Sequence, residues 1–299
     1  MAGGPAIGPS VLQESNDMLI GVTSFAFRWF VQQQGRGATG SSLHFDLLRK
    51  AKECDAEVVQ FCENLPLHHF SKRELASLRQ AAADLGLGIE VGIRCCRRDV
   101  LQRYLSIAEL LQSRILRVVL EDDENPPARS QLPALIGALV PELRSKEITL
   151  AIENRQSQTP AEIKDLVLSI GDPHVRVCVD FLNSLYHLAG PREVIGALGP
   201  FAATAHAKDA TVSRCGNGFL ARSSVLGEGV VDVTGAFDQL CSTGNLLSMH
   251  VESYLDQSSP SEDALGQEQE HARKGLRFLA EARRRREPSD LRPWAHDER

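Results

Sequence analysis

The sequence predicts an α/β protein, a (β/α)8 TIM barrel that forms a single domain. Eight apolar runs rich in β-branched residues alternate with amphipathic segments of helical periodicity, which is the pattern of a parallel sheet covered by helices. The runs begin between positions 18 and 246 and recur about every 33 residues, which is the size of one strand–helix repeat. Eight such repeats are the number that closes a barrel.

Each predicted strand reads as a nearly continuous apolar run, because strands of a parallel barrel are buried on both faces. The runs are followed by polar or glycine-containing segments, which mark the ends of the strands. In chain order they cover residues 18–27, 56–65, 87–95, 115–123, 148–154, 175–183, 201–209 and 246–254.

Amphipathic segments between the runs predict the outer helices. Examples are "LHFDLLRKAKEC" (43–54), "SKRELASLRQAAADLGLG" (71–88) and "PALIGALVPELRS" (133–145). The alternative architecture is an open doubly wound sheet, which carries a glycine-rich phosphate-binding turn after an early strand. The first strand region, "GVTSFAFRW", contains no G-x-G-x-x-G motif, so the barrel is favoured.

The barrel is predicted to occupy residues 18–285, between two flexible ends. Residues 1–17 are rich in Gly and Pro and have neither the basic start nor the apolar core of a signal peptide. Residues 286–299 follow a basic run and are interrupted by Pro. We therefore expect an N-terminal arm and a C-terminal tail without fixed structure.

Composition argues against nucleic-acid and membrane partners. The chain has 39 acidic and 33 basic residues and a net charge of -6, which gives no general attraction to nucleic acid. No apolar run reaches the ~18 residues that span a bilayer. The seven cysteines include no C-x-x-C pair, so we expect reduced thiols in a cytoplasmic protein.

Four predicted strands end in side chains that commonly bind metals. They are Glu153 in "AIENR", Asp180 in "VCVDFLNS", His206 in "TAHAKD" and Glu252 in "MHVESY". Active-site residues of such barrels lie at the carboxyl ends of the strands. Because side chains alternate along a strand, these four can all point into the barrel lumen.

This set of side chains predicts a site for one divalent metal ion. Three crowded carboxylates repel one another, and a cation removes that repulsion. An oxygen-rich set with one imidazole suits Mn²⁺ first, with Mg²⁺, Co²⁺ or Zn²⁺ as alternatives. The competing interpretation is that the carboxylates are solvated and that the histidine is an ordinary polar residue.

At these residues the chain resembles the xylose isomerase-like TIM-barrel superfamily, which contains sugar isomerases and epimerases. The resemblance spans roughly residues 18–255 and rests on "IEN", "VDFLNSL", "HAKD" and "VES" at the ends of strands five to eight. It implies that the metal is bound by Glu153, Asp180, His206 and Glu252.

A finer likeness points to a branch of sugar phosphate isomerases/epimerases, some of whose relatives eliminate the aglycone from 3-keto-glycosides. It rests on "VQFCENLPL", "DFLNSL", "HAKDATVSR" and "VLGEGVVD". The chain departs from this pattern at two positions. Asn183 stands where many epimerases have histidine, and Arg155 stands where some relatives have histidine, so chemistry that needs an imidazole at these places is not expected.

Six further residues are candidates for substrate binding: Asn64, Arg94, Asn183, Lys208, Arg214 and His250. Lys208 lies one step nearer the rim than His206 on the same face of its strand, so it would face the substrate. Arg94 shares a strand face with Glu90, and the two could instead form a buried ion pair. Arg214 could equally be a solvated loop residue.

The predicted activity is a divalent-metal-dependent sugar isomerase/epimerase acting on a sugar or keto-sugar. Glu153 and Glu252 would act as base and acid on opposite faces of an enediolate. A 3-keto-glycoside β-eliminase on the same metal site is one alternative. A barrel that binds a sugar or a partner subunit without catalysis is another. A homo-oligomer is compatible with the sequence, which does not define the assembly.

Overall fold

The computed structural model of the chain describes residues 18–34, 42–122, 127–255 and 263–286. The predicted N-terminal arm, residues 1–17, lies outside these residues. The predicted tail, residues 286–299, lies outside them too, apart from its first residue. These two predictions therefore remain untested.

Eight parallel strands close into a barrel in the neighbour order β1-β10-β7-β6-β5-β4-β3-β2. This confirms the predicted (β/α)8 fold. The ten strands of the described residues are β1 (Leu19–Thr23), β2 (Val58–Phe61), β3 (Gly88–Arg94), β4 (Ile115–Val119), β5 (Thr149–Glu153), β6 (Val175–Asp180), β7 (Ala202–Ala207), β8 (Asp209–Cys215), β9 (Gly218–Ser224) and β10 (Ser248–Val251). Every barrel strand lies within its predicted run.

Helices cover the outside of the barrel. Within the described residues they are α1 (Arg28–Gln34), α2 (Ser42–Glu53), α3 (Lys72–Asp84), α4 (Arg98–Leu111), α5 (Leu132–Gly137), α6 (Val140–Ser145), α7 (Pro160–Ile170), α8 (Pro191–Leu198), α9 (Val233–Cys241) and α10 (Ala264–Arg286). None of them is long and apolar enough to cross a membrane. The same described residues include short 3-10 segments at 24–27, 129–131, 183–187 and 199–201.

Helices α3 and α7 begin with capping boxes, in which the capping residue and a glutamate three positions later exchange hydrogen bonds. The Ser71 hydroxyl accepts the backbone N–H of Glu74 before α3, and Thr159 does the same for Glu162 before α7. In both cases the glutamate side chain accepts the backbone N–H of the capping residue in return. Such reciprocal bonds satisfy N–H groups that have no partner within the helix.

The amphipathic segment 133–145 forms two short helices rather than one. Pro141 lies in the first turn of α6, where the missing N–H costs nothing. The same residue inside one continuous helix would remove the bond to the carbonyl of Gly137 and clash with it. The chain therefore ends α5 at Gly137 and begins a new helix at Val140.

An antiparallel hairpin of β8 and β9 interrupts the repeat after β7, and the sequence analysis did not predict it. Its register runs from Asp209 opposite Ser224 to Cys215 opposite Gly218. Most of its residues are exposed. At its base, the buried Asp209 carboxylate accepts backbone N–H groups from Gly227, Gly229 and Val231 at 2.9–3.0 Å.

Candidate active site

The four predicted metal ligands meet at the carboxyl end of the barrel. Glu153 and Asp180 are the last residues of β5 and β6, and His206 is the fifth residue of β7. Glu252 directly follows β10. All four are at most 1% exposed. The parallel register places Asp180 beside His206 and His206 beside His250, so consecutive strands bring the groups to similar heights.

Three carboxylates surround one nitrogen of His206. Its Nδ1 lies 3.2 Å from Glu252 Oε2, 3.5 Å from Glu153 Oε2 and 3.7 Å from Asp180 Oδ2. His206 Nδ1 and Glu252 Oε2 are buried and have no hydrogen-bond partner among the described residues, whereas the buried Asp180 Oδ2 pairs with the Lys208 ammonium. Leaving buried polar atoms unpartnered is costly.

These atoms fit a divalent cation. Asp180, His206 and Glu252 offer ligand atoms within 4.8 Å of one another, and so do Glu153, Cys178 and His206. Carboxylate oxygens with one imidazole form a set that suits Mn²⁺ or Mg²⁺. Cys178 is a poor ligand for these ions, because thiolates suit softer metals; in addition, burial raises the pKa of its thiol to about 11.

Glu153 is held through both of its carboxylate oxygens. The guanidinium of Arg117, which reaches up from β4, donates to Oε2. The Asn183 amide donates to Oε1 at 2.8 Å. Arg117 is fully buried and also pairs with Glu63 Oε2 at 2.5 Å. Burying a guanidinium is costly unless carboxylates pair with it, so the ion pairs with Glu63 and Glu153 hold Arg117 in place.

The loop after β6 fixes Asp180. Its Oδ1 accepts the backbone N–H groups of Leu182 and Asn183 at 2.9 and 2.8 Å. The Asn154 side chain bonds the backbone N–H and carbonyl of Asp180 at 2.7 and 2.9 Å. These bonds leave Oδ2 facing the centre of the site.

Lys208 and Tyr254 hold the other carboxylate oxygen of Glu252. Lys208 Nζ lies 2.8 Å from Glu252 Oε1 and 2.7 Å from Asp180 Oδ2. The Tyr254 hydroxyl donates to the same Oε1. Lys208 also donates to Asn183 Oδ1 at 3.2 Å. Glu252 Oε2 is thereby left pointing toward His206.

The charges of the site move pKa values in different directions. Burial raises the pKa of Glu153 above its usual range. Burial also opposes ionisation of Glu252, but Lys208 and His206 hold the pKa of this carboxyl well below its usual range. Burial disfavours the Lys208 ammonium, but Asp180 and Glu252 raise the pKa of this group well above its usual value. Lys208 is therefore a buried cation at neutral pH.

Four residues of the site were missed by the sequence analysis: Gln60, Glu63, Arg117 and Tyr254. Two signals could have revealed Arg117. It stands in the middle of the apolar run "ILRVV", where a charge needs a partner. On the neighbouring strand β3, a Cβ at Gly92 would lie 3.2 Å from the Arg117 Cδ, so the glycine makes room for the Arg117 side chain.

The structure places the substrate-binding candidates in different surroundings. Asn183 and Lys208 belong to the centre. Asn64 instead bonds Ser24, accepting from its hydroxyl at 2.6 Å and donating to its carbonyl at 3.1 Å. Arg214 is exposed on β8 and donates to the Gly216 carbonyl at 3.1 Å.

Arg94 and His250 each pair with a carboxylate other than the four proposed ligands. Arg94 donates to Glu121 at 2.9 Å and lines a separate cavity of about 330 Å³ between the ends of β3, β4 and β5. His250 lies fully buried in the lumen, with Nε2 2.8 Å from Glu90 Oε2. Glu90 thus contacts His250 and Gln60, and Arg94 takes Glu121 as its carboxylate partner.

Comparisons with known proteins agree with this architecture. A relative from Pectobacterium atrosepticum, named 3-oxo-isoapionate decarboxylase, is 27% identical over 264 residues, covering 88% of this chain and 95% of the relative. D-psicose 3-epimerase from Clostridium cellulolyticum H10, solved with D-tagatose, superposes with a TM-score of 0.70 at 12% identity, covering 89% of this chain and 99% of the other.

A xylose isomerase-like TIM barrel protein from Mycobacterium smegmatis, solved in complex with magnesium, superposes with a TM-score of 0.66. The two chains are 16% identical, and the match covers 91% of this chain and 99% of the other. At these identities the solved structures show a shared fold. The family model described as "Xylose isomerase-like TIM barrel" matches residues 48–282. The chain therefore belongs to the xylose isomerase-like TIM-barrel family.

Proposed function

We propose that the protein is a divalent-metal-dependent enzyme that isomerises or epimerises a keto-sugar through an enediolate. The observation that carries this proposal is the convergence of three buried atoms, His206 Nδ1, Asp180 Oδ2 and Glu252 Oε2, at the carboxyl end of the barrel. Glu153 would be the fourth ligand. Mn²⁺ is the metal proposed first.

When bound, the metal would polarise the substrate carbonyl and stabilise the negative charge of the enediolate. The carboxylates move the protons. Glu252, whose Oε1 is held by Lys208 and Tyr254, would take the carbon-bound proton on one face of the substrate. Glu153, anchored by Arg117 and Asn183, would return a proton from the other side.

Hydrogen exchange tests the proposal. Manganese-loaded protein is incubated in D2O with a panel of ketoses, and NMR follows deuterium incorporation at carbon. We expect exchange with at least one sugar, loss of exchange in Glu252→Gln, and full exchange in the matched surface control Glu228→Gln. If metal-occupied protein exchanged no sugar, the isomerase/epimerase proposal would be wrong.

Decarboxylation of a 3-oxo sugar acid is the second candidate, and the charge balance of the site favours it. The described site holds four carboxylates and three cations, namely Glu63, Glu153, Asp180 and Glu252 against Arg117, Arg155 and Lys208. A divalent ion leaves a net charge of +1, which favours an anionic ligand. The curated relative is named for decarboxylation of an oxo acid.

In such a reaction the bond to the carboxylate carbon breaks and CO2 leaves. The electron pair moves onto the ketone to give an enolate, which then takes one proton at carbon. A matched panel of neutral ketoses and 3-oxo sugar acids distinguishes the candidates. CO2 release from an acid supports the decarboxylase, and deuterium exchange of a neutral sugar supports the isomerase/epimerase. Aglycone release from a 3-keto-glycoside would instead support the β-eliminase.

A further inference from the structure

We propose that Gln60 is a positioning residue that forces His206 to present the lone pair of Nδ1 to the metal. The inference rests on the proposed metal site and adds to it a residue that touches neither metal nor substrate. Gln60 lies on β2, on the far side of the His206 ring from the carboxylates. Its side chain is fully buried.

Four buried side chains from four strands form a continuous hydrogen-bonded row across the lumen. His206 Nε2 lies 2.8 Å from Gln60 Oε1. Gln60 Nε2 lies 2.9 Å from Glu90 Oε2. Glu90 Oε2 is also 2.8 Å from His250 Nε2. None of the four is more than 5% exposed, so water cannot easily substitute for a missing partner.

The carboxylate at Glu90 sets the direction of these bonds. An ionised carboxylate only accepts hydrogen bonds, so the Gln60 amide must turn its NH2 group toward Glu90. The amide oxygen then faces His206. The Cys62 thiol, 3.5 Å from the same oxygen, is a donor and fits this orientation. A flipped amide would bring its oxygen against the carboxylate, which is repulsive.

The orientation of Gln60 decides the proton distribution on His206. Since an amide oxygen only accepts, His206 Nε2 must carry the hydrogen. In the neutral ring, Nδ1 then carries the lone pair. This is the nitrogen that faces Glu153, Asp180 and Glu252. A hydrogen bond to the distal nitrogen both orients a metal-binding imidazole and selects its tautomer.

Two substitutions at position 60 separate positioning from packing. Gln60→Met nearly preserves volume but removes the acceptor. Gln60→Glu keeps an acceptor toward His206, and the introduced carboxylate can share one proton with Glu90. Positioning predicts that Gln60→Met weakens Mn²⁺ binding about 10–100-fold and that Gln60→Glu binds at least tenfold more tightly than Gln60→Met. A packing role predicts the opposite order, because Met is tolerated and a further buried carboxylate is not.

The measurement is titration of Mn²⁺ into the full-length chain without substrate, with thermal unfolding of the metal-free variants as the check on folding. Glu90→Gln provides a second variant. An amide at position 90 can donate as well as accept, so it no longer fixes the orientation of the Gln60 amide. We expect it to weaken Mn²⁺ binding without touching a ligand. If the wild-type chain bound no Mn²⁺, the proposed function and this inference would both fail. If it bound Mn²⁺ and Gln60→Met bound it equally well, this inference alone would fail.

Discussion

Glu153 and Glu252 are chemically identical residues placed in different environments. Both oxygens of Glu153 accept hydrogen bonds, from Arg117 and Asn183. Glu252 is held through Oε1 alone, and its Oε2 has no partner among the described residues. The Glu153 carboxylate is thus more tightly restrained than that of Glu252. The two glutamates are therefore expected to contribute unequally.

Substitution of each glutamate by glutamine tests this difference. Glutamine keeps the shape and one ligating oxygen but cannot take a proton. Glu252→Gln with excess Mn²⁺ should still bind substrate and lose on the order of 10²-fold or more in kcat. Glu153→Gln should lose turnover as well but retain more deuterium exchange, because the first proton transfer survives. Near-native turnover in both metal-occupied variants, measured by steady-state kinetics, would contradict a mechanism with two carboxylates.

At this scale the sequence identifies the proposed metal ligands better than the residues that support them. Asp180 and Glu252 could be found because each lies near the end of an apolar run, and active-site residues of such barrels lie at the carboxyl ends of the strands. Gln60 and Arg117 lie inside such runs, and their partners come from strands that are far away in sequence. Only the closed register of the barrel shows that Gln60 faces His206 and Arg117 faces Glu153.

Strands were predicted more reliably than the segments between them, and the reason is physical. A strand that is buried on both faces is almost entirely apolar, so a continuous apolar run identifies it in the sequence. The β8–β9 hairpin is mostly exposed, and no core constrains its residues to alternate. The predicted helix 133–145 is interrupted at residues 138–139, although the apolar residues Ile136, Leu139 and Leu143 on either side of and within the break are all buried.

The last helix contacts the first through a buried carboxylate. Glu268 of α10 accepts the backbone N–H groups of Trp29 and Phe30 in α1, at 2.5 and 3.0 Å. Burial raises the pKa of Glu268 to about 7. The folded chain therefore holds a proton that the unfolded chain has lost between pH ~4.5 and ~7. By linkage, the contribution of Glu268 to the free energy of unfolding falls as pH rises through this range.

Glu268→Gln should remove this pH dependence, since glutamine cannot ionise and still offers one acceptor. Urea unfolding at pH 5 and pH 8 gives the free energy of unfolding of both proteins. The stability of the variant relative to wild type should increase between these pH values by on the order of 1–3 kcal/mol. Glu281→Gln, a substitution at an exposed position of the same helix, is the matched control. An equal difference at both pH values would show that Glu268 titrates normally.

At the scale of the whole molecule, the candidate site places several charged side chains in the buried interior of the barrel. The three carboxylates around His206 come from strands β5 and β6 and from the end of β10. Lys208 offsets part of their repulsion, and the unpartnered atoms remain a cost of folding. A ligand that binds these atoms only in the folded state would stabilise the folded barrel against unfolding.

Thermal unfolding should therefore depend on the metal. Binding to the folded state contributes about 2.7 kcal/mol at a free concentration of 100 times Kd. For a domain of this size, about 1 kcal/mol shifts Tm by roughly 2–4 °C, so Mn²⁺ should raise Tm by roughly 5–10 °C. His206→Ala should abolish most of this increase, because the only imidazole in the ligand set is lost. His69→Ala, at an exposed position outside the site, should keep it. Calorimetry with and without Mn²⁺, reversed by a chelator, measures the shift. A full increase in His206→Ala would mean that Mn²⁺ binds elsewhere on the chain.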